Sequence, residues 1–482
     1  MELNKILDYE QVEEKLEELC RNYAYAIEKQ EDLAITLYGL PIHYYKIGKG
    51  NKEIVITGAT HGAEIVTTDF VLQLMEEMAI KPDEFNLDEY TFHIVPMLNP
   101  EGYLITTSAV RKLIPRDMSL EDAQKICKRY YMEYRSDDQE VISRKKEGIF
   151  PDRLSTKRHQ KMFENIDYTC IPEKYKNIRE RVKNIFEMYP DLPKGCIVTW
   201  DANASGIDVQ SNCVFNRDKI LQSLYGEHSY GNLRYENIDA SHPGPMNCPF
   251  DPKVGFYEIA EVKAISKLLK KLNEKGTLVS YENFHSTGGL VYQRPSRGGN
   301  GFEISEDLYW QRIVNNIFMA LSYASNTYKN ANNMEESRYQ IRKSSGLPTS
   351  TNEVFRMKYP VDLLIELSGM GGNPIAPYGD MEGNYKNIMD SNIATYKEFL
   401  KNFSVIQKVS DVVFSYIMKK YNNMEKSEEL RENYVSEIYE LAEEFMKIMK
   451  KYIDEGKADK LETVLDIEEL LEKIETTKIA LS

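Results

Sequence analysis

The sequence predicts an α/β protein, a wound and largely parallel sheet flanked by helices, followed by a helical C-terminal appendage. Three observations carry that expectation. Short β-branched apolar runs alternate with stretches whose apolar residues recur every three to four positions, the pattern of strand, helix and strand. The runs end in glycine or proline turns. After about Phe403 the composition shifts to Lys, Glu, Leu, Ile and Met at helical spacing, as in "ENYVSEIYELAEEFMKIMKKYIDEG", with no glycine between Gly383 and Gly456.

Taken in order, residues 8–30 read as helical and lead through "AITLYGLPIHYYKIG" into Ile54, Val55 and Ile56, a buried strand ended by Gly58. From Ile65 the positions Val66, Phe70, Val71, Leu74, Met75 and Met78 give a helix one buried face. "YTFHIVPMLNPEGY" is a second strand closing in a Pro/Gly turn. Residues 104–192 are charged, tyrosine-rich and without sustained strand pattern, and read as an insertion. Sheet pattern resumes at "KGCIVTWDANASGIDVQSN", and Asp251 before Pro252 reads as the cap and first-turn pair of a helix carrying Ile259, Val262, Ile265, Leu268, Leu269 and Leu272. "TLVSYENFHSTGG" is a strand ending in His285, residues 306–328 a helix, and "PVDLLIELSGMGG" a nearly continuous apolar strand with Glu366 inside it. The chain thus divides into residues 1–403 and a helical appendage of residues 404–482.

Composition narrows the function classes. Of 482 residues, 42% are hydrophobic and 28% charged, ordinary for a globular protein. No apolar run reaches the roughly 18 residues of a membrane span. The opening "MELNKILDYEQVEEKLEEL" has no basic region followed by an apolar stretch, so the expectation is a cytoplasmic protein. The balance of 61 basic against 76 acidic residues, a net charge of −15, argues against a nucleic-acid partner. Six cysteines far apart, without a C-x-x-C pair, read as reduced thiols. The helical tail offers a surface to a second copy of the chain or to another protein.

His61 and Glu64, in "THGAE", sit between the end of a strand and the first turn of a helix, where open α/β sheets hold ligands. Two residues between them let an imidazole and a carboxylate turn toward one point, as two zinc ligands do. A glutamate favouring a helix N-terminus beside a surface histidine fits the same pattern. His285 ends a strand and opens a glycine turn in the same setting, and completes a His₂Glu set that leaves zinc a fourth position. Glu366, ionisable within an apolar strand, needs a partner. It reads either as a glutamate paired with a structural Lys or Arg, or as the carboxylate that moves protons for zinc-assisted hydrolysis.

Five blocks in this order, "THGAE", "NPEGY", "WDANASGIDVQSN", "FHSTGG" and "LLIELS", make the chain resemble zinc metallocarboxypeptidases of the carboxypeptidase A class, nearest the bacterial branch acting on γ-D-glutamyl-diaminopimelate peptides. The resemblance covers residues 30–402, interrupted by the insertion. It implies a mixed, mostly parallel sheet of about eight strands between helices. It also implies one zinc per chain on His61, Glu64 and His285, with Glu366 as general base and then acid. The activity implied is hydrolysis of an amide bond near the C-terminal end of a small or unusual peptide, such as a peptidoglycan-derived one. Two departures stand out. "DVQSN" has Gln210 and Ser211 where the family carries Asn and the arginine that clamps a terminal carboxylate, and Asp201 stands where the family has an oxyanion-stabilising arginine. Gln210, with Arg217 in "VFNRD" and Arg294 in "VYQRPSRGG", is then a candidate to bind substrate, and Tyr339 in "SRYQIRKSSG" a candidate for the family's mobile tyrosine. Two other readings stay open: a zinc-retaining pseudoenzyme acting as a binding or scaffold protein, and an amidase on a non-peptide amide.

Overall fold

The computed structural model describes residues 6–129, 163–188, 194–207, 209–212, 250–251, 255–256, 259–286, 289–292, 306–325, 340–342, 361–367, 375, 378, 384–421 and 435–447. Eight strands form its main sheet: β1 (Ile27–Lys29), β2 (Tyr45–Gly48), β3 (Lys52–Thr57), β4 (Tyr90–Val95), β5 (Leu278–His285), β6 (Leu290–Tyr292), β7 (Gln340–Arg342) and β8 (Val361–Glu366). Their order is β1-β2-β4-β3-β5-β8-β6-β7. The central four, β4, β3, β5 and β8, are mutually parallel, while β1, β2 and β6 join antiparallel. Its longer helices include α1 (Tyr9–Asn22), α2 (Ile65–Ile80), α3 (Pro100–Leu113), α4 (Lys176–Met188), α5 (Ala260–Lys275), α6 (Glu306–Ser325) and α7 (Asn384–Tyr421).

Both faces of the sheet are covered, and β3 shows how. Ile54 and Ile56 belong to the larger core with α2, α6 and α7, whereas Val55 points the other way into a smaller core under Ile265, Leu268 and Leu269 of α5. A strand buried on both faces reads as a continuous apolar run, which is why it was visible in the sequence. No helix among the described residues is long and apolar enough to cross a membrane.

Several elements differ from the expectation. The helix expected over residues 8–30 stops at Asn22, after a start set by an Asp8/Gln11 capping box. Residues 27–29 instead pair with β2, where Ile27 sits opposite the buried Ile47. Asp251 caps no helix: it lies in a two-residue strand against Gly255–Phe256, and α5 begins only at Ala260. The apolar run Cys196–Val198 is a buried 3-10 turn within Lys194–Thr199. Runs this short fit a buried turn as well as a strand. Leu104 to Val110, at the head of the expected insertion, lie on α3 and are buried in or against the larger core.

Helix α2 is buried from Ile65 to Met75 without interruption, not on one face. Its polar residues find partners inside, although Asp69 Oδ1 and Gln73 Oε1 accept no hydrogen bond. Thr68 Oγ1 donates to the Pro96 carbonyl at 3.0 Å, and Gln73 Nε2 donates to Asp390 Oδ1 of α7 at 3.0 Å. Asp69 Oδ2 accepts the hydroxyls of Tyr378 and of Tyr385 at the start of α7. Burial pushes the Asp69 carboxyl up to about 7, against the pull of the two hydroxyls.

The boundary expected at 403/404 falls inside α7, which runs unbroken from Asn384 to Tyr421. Ser404 Oγ donates to Glu89 at 2.8 Å, and Ile406, Val409, Val413 and Ile417 are buried in the same core as Phe399 and Phe403. Residues 435–447 are helical and place Val435, Ile438 and Phe445 in that core too. Truncation after Phe403 is therefore expected to unfold the chain. At roughly 2 kcal/mol per buried aliphatic side chain, the four lost from α7 alone remove about 8 kcal/mol, comparable with the ~5–15 kcal/mol that stabilise a domain. A thermal melt of the truncated chain matching the full chain would refute this.

Candidate metal centre

The site is built on the C-terminal ends of β3, β5 and β8, the position that parallel sheets reserve for ligands. After Thr57 the chain turns through Ala59, whose φ of 44° is left-handed although it is not glycine. Such a residue costs about 1–2 kcal/mol and persists only where its surroundings hold it. Here they do. Thr67 Oγ1 of α2 accepts from Ala59 N at 2.8 Å, and the Ala59 carbonyl accepts from Asn99 N at 3.0 Å. The turn then presents His61 and enters α2 with Glu64 in the N-cap position, yet the Glu64 side chain makes no capping hydrogen bond. A glutamate placed for the helix terminus would use its carboxylate there. This one faces two imidazoles instead.

His61 Nδ1 stands 3.0 Å from Glu64 Oε1, and His285 Nδ1 2.9 Å from Glu64 Oε2. The ring centroids of the two histidines are 4.8 Å apart. All three side chains are buried, and their donor atoms lie within 4.8 Å of one another. Despite the short approach of His285, Glu64 Oε2 accepts no aligned hydrogen bond. The two atoms are close without being directed at each other, as ligands sharing an ion are. Burial alone would raise the Glu64 carboxyl, but the His285 and His61 imidazoles outweigh it and hold the group well below the usual carboxylate range. An ionised carboxylate and two imidazole nitrogens are a donor set that fits zinc, whose bonds of about 2.0–2.2 Å bring such atoms to a common centre.

The neighbouring strands set the spacing. Asn283, two residues before His285 on β5, accepts from Thr57 Oγ1 at 2.9 Å and from Thr60 Oγ1 at 2.8 Å, which locks the His61 turn to the His285 strand. Glu366 pairs in register with His285 across β5 and β8, and Leu367 N donates to the His285 carbonyl at 2.8 Å. Residues in register on parallel strands share a face, so Glu366 and His285 stand side by side at the same sheet end. The Glu366 side chain is half-buried at that edge.

Two glycines carry the turn from below. Gly62 N donates to the Asp201 carbonyl at 2.9 Å. A Cβ on Gly62 would lie 2.3 Å from the Gly102 carbonyl carbon and 2.5 Å from the Trp200 carbonyl oxygen, and one on Gly102 would lie 2.3 Å from the Ala202 carbonyl oxygen. Three backbones thus cross in contact. Asn99 binds them together, accepting from Gly102 N at 2.9 Å and donating to the Asp201 carbonyl at 3.0 Å. "NPEGY" and "WDANASG" therefore support the metal turn. Asn99, Gly62, Gly102 and Asn283 were missed as site residues. An amide within the apolar strand "SYENFH" was the one local signal of Asn283.

Asp201 is buried, with its carbonyl under the turn. Gln210 is half-buried in the helical turn Val209–Asn212. Arg217, Arg294 and Tyr339 lie outside the described residues.

The sequence profile of the zinc carboxypeptidase family matches residues 13–147. Carboxypeptidase B of Astacus astacus is 26% identical over 104 residues, 20% of this chain and 34% of that protein. The match thus spans about a third of the curated relative's length. Among solved structures, bovine thrombin-activatable fibrinolysis inhibitor in complex with tick carboxypeptidase inhibitor is similar at a TM-score of 0.47 and 14% identity, over 83% of this chain and 97% of that one. Carboxypeptidase A from Helicoverpa armigera is similar at a TM-score of 0.44 and 13% identity, over 84% of this chain and 74% of that one.

Proposed function

We propose that the protein is a zinc metallopeptidase of the carboxypeptidase type. The observation that carries this is the convergence of His61 Nδ1, His285 Nδ1 and the Glu64 carboxylate at the C-terminal ends of adjacent parallel strands, with Glu366 in register beside His285. The family profile over residues 13–147 supports it. When bound, zinc supplies a Lewis acid that polarises the scissile carbonyl. His61, Glu64 and His285 hold the ion. Glu366 takes a proton from the attacking water and passes it to the leaving amine nitrogen, the work a half-buried carboxylate can do at this sheet end. The substrate we infer is a small or unusual peptide cut near its C-terminal end, of which peptidoglycan-derived peptides are the leading class. Gln210, Arg217, Arg294 and Tyr339 are proposed to contact it. Asp201, buried with its carbonyl beneath the metal turn, favours one rival, a zinc-retaining scaffold, because it stands where the resembling family has an oxyanion-stabilising arginine.

The test is metal content followed by turnover. About one zinc per chain is expected after chelation and reloading, with His61→Ala and His285→Ala each sharply weakened. Full occupancy in both variants would remove the site. Hydrolysis is then assayed on C-terminal peptides, their amides and muropeptides. Cleavage of acid and amide at equal rates would point to an amidase, and zinc binding without hydrolysis of any substrate would favour the scaffold.

A further inference from the structure

Two more carboxylates are buried beneath the metal turn, and the chemistry above does not use them. Glu101, in the first turn of α3, is 1% exposed and Glu261, in the first turn of α5, 2%. They grip consecutive residues of the loop that follows Trp200. Ala204 N donates to Glu101 Oε2 at 3.0 Å, and Asn203 Nδ2 donates to Glu261 Oε1 at 3.2 Å. Glu101 also accepts from Tyr38 N at 3.0 Å through Oε1 and from the Thr36 hydroxyl. The groups facing the pair are thus Thr36 and the Tyr38 amide from the 36–40 turn, and Asn203 and Ala204 from the loop. Arg181 of α4, which also reaches this loop, donates to the Ser205 carbonyl at 3.1 Å.

We propose that Glu101 and Glu261 act as a clasp that positions the 200–207 loop, and through the Asp201 carbonyl the metal turn at Gly62. A carboxylate buried out of water with a single amide donor is costly to ionise, and a second buried carboxylate nearby adds to the cost. Glu101 accepts backbone N–H groups on both oxygens, which pull its carboxyl down, but burial outweighs them and raises it. Glu261 has the single Asn203 amide, and burial with Glu101 beside it pushes its carboxyl up to about 8. Both are positioning residues.

A proton held in the native state and released on unfolding gives a definite sign. Between the ordinary glutamate value of about 4.3 and the raised value the folded chain holds more protons, so the clasp's contribution falls as pH rises through that window. Glutamine at 261 imitates the protonated form at every pH. Glutamine at 101 can accept only one of the two backbone N–H groups.

The effect on the metal turn rests on the zinc reading, whereas the clasp itself does not. The experiment compares the full chain with Glu261→Gln and Glu101→Gln at about pH 6 and about pH 9, window ends set by the raised carboxyl. Readouts are thermal midpoint, Trp200 emission in a Trp310→Phe background, and zinc affinity by competition with a chromogenic chelator. The wild-type midpoint should fall relative to Glu261→Gln between the two pH values, with a red shift of Trp200. The ratio of wild-type to Glu261→Gln zinc Kd should rise about tenfold, the equivalent of one pKa unit. Glu101→Gln should melt lower at both. A constant wild-type-to-Glu261→Gln difference, or a Glu101→Gln chain as stable as wild type, would overturn the clasp. If no protein binds zinc, the midpoints and Trp200 emission still decide it, and the zinc reading alone fails.

Discussion

Glu366→Gln is expected to keep about one zinc per chain and to lose between a hundredfold and ten-thousandfold of amide hydrolysis, the range associated with a positioned general acid–base group. The amide preserves shape and hydrogen-bonding capacity but cannot take a proton. The proposed metal ligands stand on β5 and on the turn after β3, while Glu366 ends β8, so the substitution should leave the ion's contacts in place. Metal analysis and turnover on the same preparation separate the two effects. Turnover within tenfold of wild type would assign the proton transfer to another group, and loss of zinc would mean that Glu366 belongs to the ligand set.

Gly62→Ala is the second large effect. Its Cβ would press on the Gly102 backbone and on the Trp200 carbonyl at distances that side chains do not adopt, so one of three backbones must move. Overpacking in a close-packed interior costs about 1–3 kcal/mol even where neighbours are flexible side chains. The displaced element here carries His61 and Glu64, and loss of such support typically weakens metal binding by about 10–100-fold. Gly276→Ala is the control. Gly276 caps α5 at a φ of +76° with nothing within 4 Å of a Cβ, so alanine there is strained but remote from the site. It should lower the melting temperature and leave zinc affinity unchanged. Equal zinc affinities for wild type and Gly62→Ala would show that the glycine crossing does not position the turn.

Much of the candidate site was legible because its signals are local. His61 and Glu64 share one turn, His285 closes one strand, and Glu366 interrupts one apolar run, so a window of a few residues contains each. The same windows misled where local pattern is ambiguous. Cys196–Val198 looks like a strand and is a buried 3-10 turn. Asp251–Pro252 looks like a helix start, yet Asp251 ends a two-residue strand. The polar residues of α2 suggested an exposed face, because their partners Tyr385 and Asp390 are over three hundred positions away.

By itself, then, the sequence determined the central strands and their ends, the helix after the first of them and the chemical kinds gathered there, since periodicity and turn chemistry act over a few residues. Only the tertiary structure decided which strands are neighbours. Thr57, Asn283 and Leu364 are far apart in the chain, and the parallel register across β3, β5 and β8 makes them one sheet end. It also decided that α7 continues through residue 403 as part of the core, and that Gly62 and Gly102 must be bare. The physical reason is common to all of these: burial and close contact between segments remote in sequence depend on what the rest of the chain places opposite each residue, and no residue's own neighbours carry that information.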